Sequence, residues 1–127
     1  MIGYFSDQTG SQSFPLGLLA WFYPDKGNFI GVVGRAFDRS LVARVKALMT
    51  VTPDLPVYSI NAPGFITGVD FSDHWSFWQF GFPAVMVTDT AFLRNPNYHH
   101  PTDTPGTLDY GRMAQTVDGL YRVAVDM

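Results

Sequence analysis

An α/β layered fold is predicted by three observations. Short β-type runs alternate with segments of helical period, glycines and prolines punctuate the junctions, and one long amphipathic pattern closes the chain. Strands that alternate with helices in this way build a mostly parallel or mixed sheet with helices packed on it. The 127 residues, 46% of them hydrophobic, suffice for one sizeable core, and residues 1–127 read as a single domain.

Met1-Ile2-Gly3-Tyr4-Phe5 is apolar from its first position and suits a short strand. Residues 6–13 form a polar Gly/Ser/Gln loop, and the Pro-punctuated aromatic stretch 14–24 is expected to cover the core or a cleft. Asn28-Phe29-Ile30-Gly31-Val32-Val33-Gly34 is a β-type run between glycines. The next segment sets Leu41, Val42, Val45, Leu48 and Met49 on one helical face, with Asp38 or Ser40 available as its cap. After Pro53 and Pro56, Val57-Tyr58-Ser59-Ile60 reads as a strand and residues 61–69 as a glycine-containing loop.

Ser72 offers an N-cap to a short aromatic helix over 75–80 that Gly81 stops, with Trp75, Phe77, Trp78 and Phe80 read as core. Ala84-Val85-Met86-Val87-Thr88 then reads as an interior strand, and residues 89–106 as a long loop with three prolines. A final helix over about 109–125 carries Met113, Val117, Leu120 and Tyr121 as the stripe expected to pack on the sheet. Ligands of open α/β sheets gather beyond the carboxyl ends of strands, so the loop after Thr88 is the candidate site.

Charged residues make up 15% of the chain and the formal net charge is −3, which leaves no basic excess for nucleic acid or an anionic membrane. No apolar run approaches the roughly 18 residues of a membrane span. The absence of cysteine excludes disulfides and thiolate ligands and leaves the compartment open.

All three histidines, His74, His99 and His100, lie near carboxylates: Asp73 beside the first, Asp89 and Asp103 around the others. Imidazole is the commonest zinc ligand, and a carboxylate that accepts its second N–H fixes the tautomer. A self-contained site from His74, His99, His100 and Asp103 would need four loop side chains to converge; the plainer reading is solvated loop histidines.

The segments Ser72-Asp73-His74-Trp75-Ser76-Phe77, Gly81-Phe82-Pro83-Ala84, Thr88-Asp89-Thr90 and Tyr98-His99-His100-Pro101-Thr102-Asp103-Thr104 occur in that order at close spacing. Together they resemble the di-zinc aminopeptidase family, exopeptidases related to bacterial leucyl aminopeptidases and glutaminyl cyclases. The likeness covers most of 57–127 and, more loosely, the start. It implies a three-layer zinc-exopeptidase-like α/β fold, here the C-terminal part of its mixed or parallel sheet with flanking helices. It implies His99 as a zinc ligand and Tyr98 as a hydrogen-bond donor to the tetrahedral intermediate, the alternative for Tyr98 being a ring packed on the cleft wall. His100 stands where the family has a small polar residue. Asp103 either accepts from a histidine or serves as a turn carboxylate before Pro105, and Asp73 and His74 read as structural support at the helix start.

The family's reaction, release of N-terminal residues from peptides by zinc-activated water, needs two histidines, several carboxylates and a glutamate base. The resemblance sets most of these before Met1, and Met1-Ile2-Gly3-Tyr4 is similar to the residues that follow the last acidic ligand. The chain contains no glutamate at all. The expectation is therefore a C-terminal portion of a zinc-peptidase domain that is silent alone, whose uncovered apolar faces favour self-association. Alternatives are a non-catalytic binding module and a glutaminyl-cyclase-like activity in the full-length parent. If the alignment is right, Tyr98 and His99 lie on the same side of the sheet as Met1.

Overall fold

The computed structural model describes residues 1–50 and 54–127. Pro53, read above as punctuation, lies outside the described residues. The elements run β1 (Ile30–Gly34), α1 (Arg39–Met49), β2 (Val57–Asn61), α2 (His74–Gln79), β3 (Val85–Thr88) and α3 (Tyr110–Asp126). Short 3-10 turns at Gly17–Trp21, Ala91–Leu93 and Pro105–Thr107 interrupt the long connections. The sheet order is β2-β1-β3, with β1 parallel to β2 and antiparallel to β3. The mixed α/β sheet of the sequence reading is what forms.

β1-α1-β2 is a crossover unit, which parallel neighbours require. Ile30 and Val32 of β1, Val57 of β2, and Val42, Val45 and Met49 of α1 make one buried cluster, with Leu120 and Val123 of α3 packed against it. Close approach of α1 to β1 depends on Gly34, where a Cβ would collide with the Val42 side chain. α3 reaches α1 through Gly119, whose Cα faces Met49. The opposite face of the sheet carries a smaller cluster in which Trp78 of α2, Val69 and Ala62 meet Val33 and Ile60. Helices thus cover one face, and α2 with long loops covers the other.

Several local expectations are corrected. Residues 1–5 form no strand, because the N–H groups of Gly3 and Tyr4 point at the Asp89 carboxylate rather than at a neighbouring strand. β3 is an edge strand among the described residues, and Val85 and Val87 are half-buried. The Asp38 carboxylate leaves the α1 cap unmade, since Arg35 takes it at 2.8 Å. Asp73, not Ser72, precedes α2 and makes no side-chain cap bond. Of the α2 aromatics only Trp78 is buried, its indole N–H donating to the Ala84 carbonyl at 3.0 Å. Gly81 does stop α2: with φ +80° it lets its own N–H reach Trp78 O and that of Phe82 reach Phe77 O, a Schellman closure. In α3, Asp109 caps the first turn by accepting from the Arg112 N–H. The packed face of α3 is rotated from the expected stripe: Thr116 and Gly119 are buried and Leu120 and Val123 half-buried, while Val117 and Tyr121 face outward. On this face Gly119 lies against Met49 of α1.

The N-terminal segment is fixed by Asp89, which follows β3 directly and is 1% exposed. Its Oδ2 accepts from Gly3 N at 3.0 Å and Tyr4 N at 2.9 Å, its Oδ1 from Ala91 N at 3.0 Å, and its own N–H donates to Met1 O at 2.9 Å. A buried carboxylate with its lone pairs used by backbone donors is satisfied without a salt bridge.

Two outcomes test this architecture by urea denaturation. Gly34→Ala is expected to destabilise the chain by about 1–3 kcal/mol, the usual range for overpacking, because Val42 and the rigid β1 backbone cannot both yield. Asp89→Asn is expected to cost about 2–3 kcal/mol, since its amide would present N–H to N–H at one of the three bonds. A variant as stable as the parent would mean that the contact does not organise the fold.

Candidate functional site

The loop after β3 begins with a backbone conformation that side chains other than glycine resist. Thr90 (φ +68°) and Ala91 (φ +47°) are consecutive left-handed residues, and His99 (φ +58°) is a third. Strain of this kind costs of order 1–3 kcal/mol per residue and persists where surrounding bonds over-determine it. Here Asp89 holds Ala91 N, and Thr88 Oγ1 accepts from Thr90 N at 3.0 Å. Further along, the Asn95 Oδ1 accepts from Asn97 N at 2.9 Å and its amide donates to Asp103 Oδ1 at 3.3 Å.

Arg94 anchors the same loop from beneath. Buried to 6% exposure, it donates through Nε to Gln12 Oε1 at 2.9 Å and through Nη1 to the carbonyls of Phe29 at 2.9 Å and Tyr4 at 3.3 Å. Its guanidinium lies over the rings of Phe29 and Phe5 at 4.5 and 5.7 Å. Gly27 leaves the channel it occupies, since a Cβ there would stand 2.6 Å from Arg94 Cδ. Desolvation pulls its pKa down to about 10, only partly opposed by the nearby Asp89 charge, so the group stays protonated at neutral pH. Thr90 Oγ1 also donates to Gln12 Oε1, at 3.0 Å, closing a network that ties loop, β1 entry and N-terminal segment together.

These bonds frame a cavity of about 310 Å³ on the sheet face away from α1. Its floor is Gly31, Val33, Tyr58, Ile60, Met86 and Thr88 of the three strands, and its walls are Phe14, Leu19, Tyr23, Ile66, Phe71 and Phe92 from the loops. The volume lies within the range of small-molecule pockets. The Tyr23 phenol donates to Ser59 O at 2.8 Å, and burial raises its pKa, so it remains a neutral donor. The aromatic stretch 14–24 therefore supplies a cavity wall through Phe14 and Tyr23, while Leu16, Leu18, Trp21 and Phe22 face solvent.

Tyr98 and His99 both line this cavity, as does Met1. Their rings are stacked, with centroids 3.9 Å apart and planes 16° from parallel, and Phe92 and Phe71 continue the aromatic row at 5.9 and 5.8 Å. Because β3 is antiparallel to β1, its one neighbour among the described residues, the loop after its carboxyl end lies at the end of the sheet where β1 and β2 begin. The loop that carries Tyr98 and His99 is the one that follows the carboxyl end of β3.

The other candidates stand apart from His99. His74 is buried under the 66–72 turn, its Nε2 bonded to Val69 O at 2.6 Å and its ring set edge-on to Trp78 at 4.5 Å. Asp73 is exposed at the start of α2, and Asp103 bonds Asn95 rather than a histidine. His100 is exposed. Among the described residues no three His, Asp or Glu side chains gather in a way that could hold a metal. A zinc site takes three or four such groups, so the donors of this chain do not fit the ion by themselves. Asp89, Arg94 and Gln12 escaped the sequence reading as organisers. The signal for Asp89 was its place in the Thr-Asp-Thr strand end; for Arg94 it was a lone cation in an otherwise uncharged stretch, 90–102; for Gln12 there was none.

With this geometry in view, the relatives are informative. Residues 28–124 match the model of peptidase family M28. The Escherichia coli (strain K12) protein YfbL, itself uncharacterized, is 54% identical over 120 residues, covering 94% of this chain and 37% of that protein. The crystal structure of Legionella pneumophila LapA aminopeptidase superposes with a TM-score of 0.67 at 22% identity, over 98% of this chain and 28% of that one. That likeness concerns the fold. The chain thus spans little more than a third of the curated relative it matches. Peptidases of this family are zinc-dependent in general. By the match over 28–124 and the order of its motifs, the chain belongs to peptidase family M28, a family of metallopeptidases with aminopeptidase members.

Proposed function

We propose that this chain supplies the C-terminal part of a zinc-dependent aminopeptidase-type active site, and that it is catalytically silent alone. The observation that carries the reading is the convergence of Tyr98 and His99 on one apolar cavity beside Met1. In this reading His99 contributes one imidazole to the metal site, and the remaining donors come from sequence outside this chain. Tyr98 donates its phenolic O–H to the oxyanion of the tetrahedral intermediate, a role worth about 10²–10³ in rate for a well-placed donor. The cavity takes an apolar side chain at the N-terminal residue of a peptide, because its walls are almost wholly aromatic and aliphatic. The strain at His99 supports a functional role, since an unconstrained loop would carry glycine there.

A second reading is favoured by one observation: the cavity is formed by this chain whether or not a metal site is completed. A binding module for apolar peptides would use the same walls without chemistry.

The purified chain in micromolar zinc is expected to retain less than one equivalent by elemental analysis and to release no product from leucyl or phenylalanyl p-nitroanilide. A longer polypeptide that joins this chain to the upstream part of YfbL is expected to bind zinc and turn over. Of its variants, His99→Ala loses most of both properties, and Tyr98→Phe loses about 10²-fold in kcat with zinc retained. Turnover by the short chain that survives His99→Ala would overturn the assignment; a longer form that binds phenylalanine amide but neither zinc nor turns over would favour the binding module. In the short chain, His99→Gly is expected to raise stability by about 1 kcal/mol, because glycine accepts φ +58° without strain.

A further inference from the structure

Glycine inside a strand weakens it, so a strand that carries one calls for a reason. Gly34 and Gly27 have theirs in packing, since a Cβ at either would collide with Val42 or Arg94. Gly31 of β1 has no such reason. Its backbone lies outside the left-handed region, and its register is unbroken, pairing with Tyr58 of β2 and Thr88 of β3, so it marks neither a turn nor a bulge. A Cβ added there would meet Thr88 O at 3.4 Å, Thr88 Cγ2 at 3.7 Å and Thr90 Cγ2 at 4.0 Å, ordinary van der Waals distances. The fold therefore has room for a side chain at this position. The remaining use of a strand glycine is to let a ligand come close.

The side chain that Gly31 lacks would point into the cavity. Ile30 and Val32 face the helical core, so Gly31 faces the opposite way, where it forms part of the cavity floor. In register across the sheet the floor reads Tyr58, Gly31, Thr88, a notch between two occupied positions. Two rows of rings border it. Phe14, Tyr23, Tyr58 and Phe29 follow one another at centroid distances of 6.0, 5.9 and 5.1 Å, and this row includes the β2 neighbour of Gly31. Phe71, Phe92, Tyr98 and His99 follow at 5.8, 5.9 and 3.9 Å, and all but Phe71 stand on the loop after β3. Both rows line the cavity throughout. Aromatic pairs gain from edge and face contacts beyond the area they bury, a gain open to a ring in the notch and closed to an aliphatic chain.

We propose that the Gly31 notch seats an aromatic side chain, and that Gly31 sets a preference of this cavity for phenylalanine over small N-terminal residues. The inference rests on the reading that the cavity takes the side chain of a peptide's N-terminal residue. The seat itself is built by this chain alone and needs no metal, so the two can fail separately.

Titration of the 127-residue chain with L-phenylalanine amide, followed by two-dimensional NMR, is expected to shift the backbone amides of Gly31, Tyr58 and Thr88. L-alanine amide and L-cyclohexylalanine amide are expected to bind at least about 10-fold more weakly, the first for want of a ring and the second for want of an aromatic one. Gly31→Val fills the notch and is expected to weaken phenylalanine amide at least about 10-fold while leaving alanine amide unchanged. Gly31→Ala, whose added Cβ makes only ordinary contacts, gives a smaller loss in the same direction and carries the test if the valine variant does not fold. Phenylalanine amide bound equally by the parent and the variants overturns the seat. So does cyclohexylalanine amide bound as tightly as phenylalanine amide, or a parent chain in which none of the three amides shifts. In the longer polypeptide, Gly31→Val is expected to lower kcat/KM for phenylalanyl relative to alanyl p-nitroanilide by a similar factor. Turnover with a ratio that the variant leaves unchanged sinks the seat and leaves the metal reading standing; ring binding by the short chain with no turnover in the longer one does the reverse.

Discussion

Asp89 is the point at which three otherwise separate pieces of chain are made to agree. A carboxylate buried in an apolar site is tolerated only if its lone pairs are used, and this one is surrounded by N–H groups of Gly3, Tyr4 and Ala91. Those bonds bring the N-terminal segment to the end of β3 and turn the following loop into its left-handed course. Arg94 completes the arrangement from the other side, reaching the carbonyls of Tyr4 and Phe29. A cation and an anion are thus buried near each other, the carboxylate held by backbone N–H groups and the guanidinium by two backbone carbonyls and Gln12, with its Nη2 left without a partner. Such a pair fixes geometry more than it adds stability, since desolvation offsets much of the Coulombic gain.

The two faces of the sheet divide the work. On the helical face, β1 and α1 close together because Gly34 stands against Val42 where a Cβ would clash, and α3 packs on α1 with Gly119 against Met49. That face is the buried one, with Ile30, Val32, Val42, Val45 and Met49 at its centre. Loops build the opposite face, and loops cannot pack to the same density without burying unpaired backbone groups. A cavity of about 310 Å³ is the consequence, with Tyr98 and His99 among its lining residues.

Period and punctuation made the elements legible. The runs of valine and isoleucine gave β1, β2 and β3, the 3.6-residue pattern gave α1 and α3, and Gly81 gave the end of α2, all within a residue or two. What periodicity could not supply was rotation and partnership. α3 is apolar on more than one side, so its pattern was compatible with either Val117 or Thr116 facing the core, and the space beside Met49 decided it. Strand order was equally hidden, because a short run such as Val85-Met86-Val87-Thr88 reads the same at an edge and in a sheet centre. At the site, Tyr98 and His99 were visible through their motif, while Asp89, Arg94 and Gln12 act through backbone atoms of distant segments. No local spacing encodes such bonds.

The placement of Tyr98 and His99 on one cavity follows from the backbone rather than from the side chains. In an extended chain successive residues point to opposite sides, so two adjacent rings would ordinarily diverge. The left-handed conformation of His99 folds the chain back by one residue, and the imidazole comes to lie 3.9 Å from the phenol ring. The strain therefore has a geometric product: two neighbouring groups, one a donor and one able to bind metal, face the same space. Phe92 packs on Tyr98 at 5.9 Å, and Gly68, itself left-handed at φ +91°, lies against the Phe92 ring. The site is thus held in its conformation by Asp89 at one end and aromatic packing at the other, with the strained residue between them.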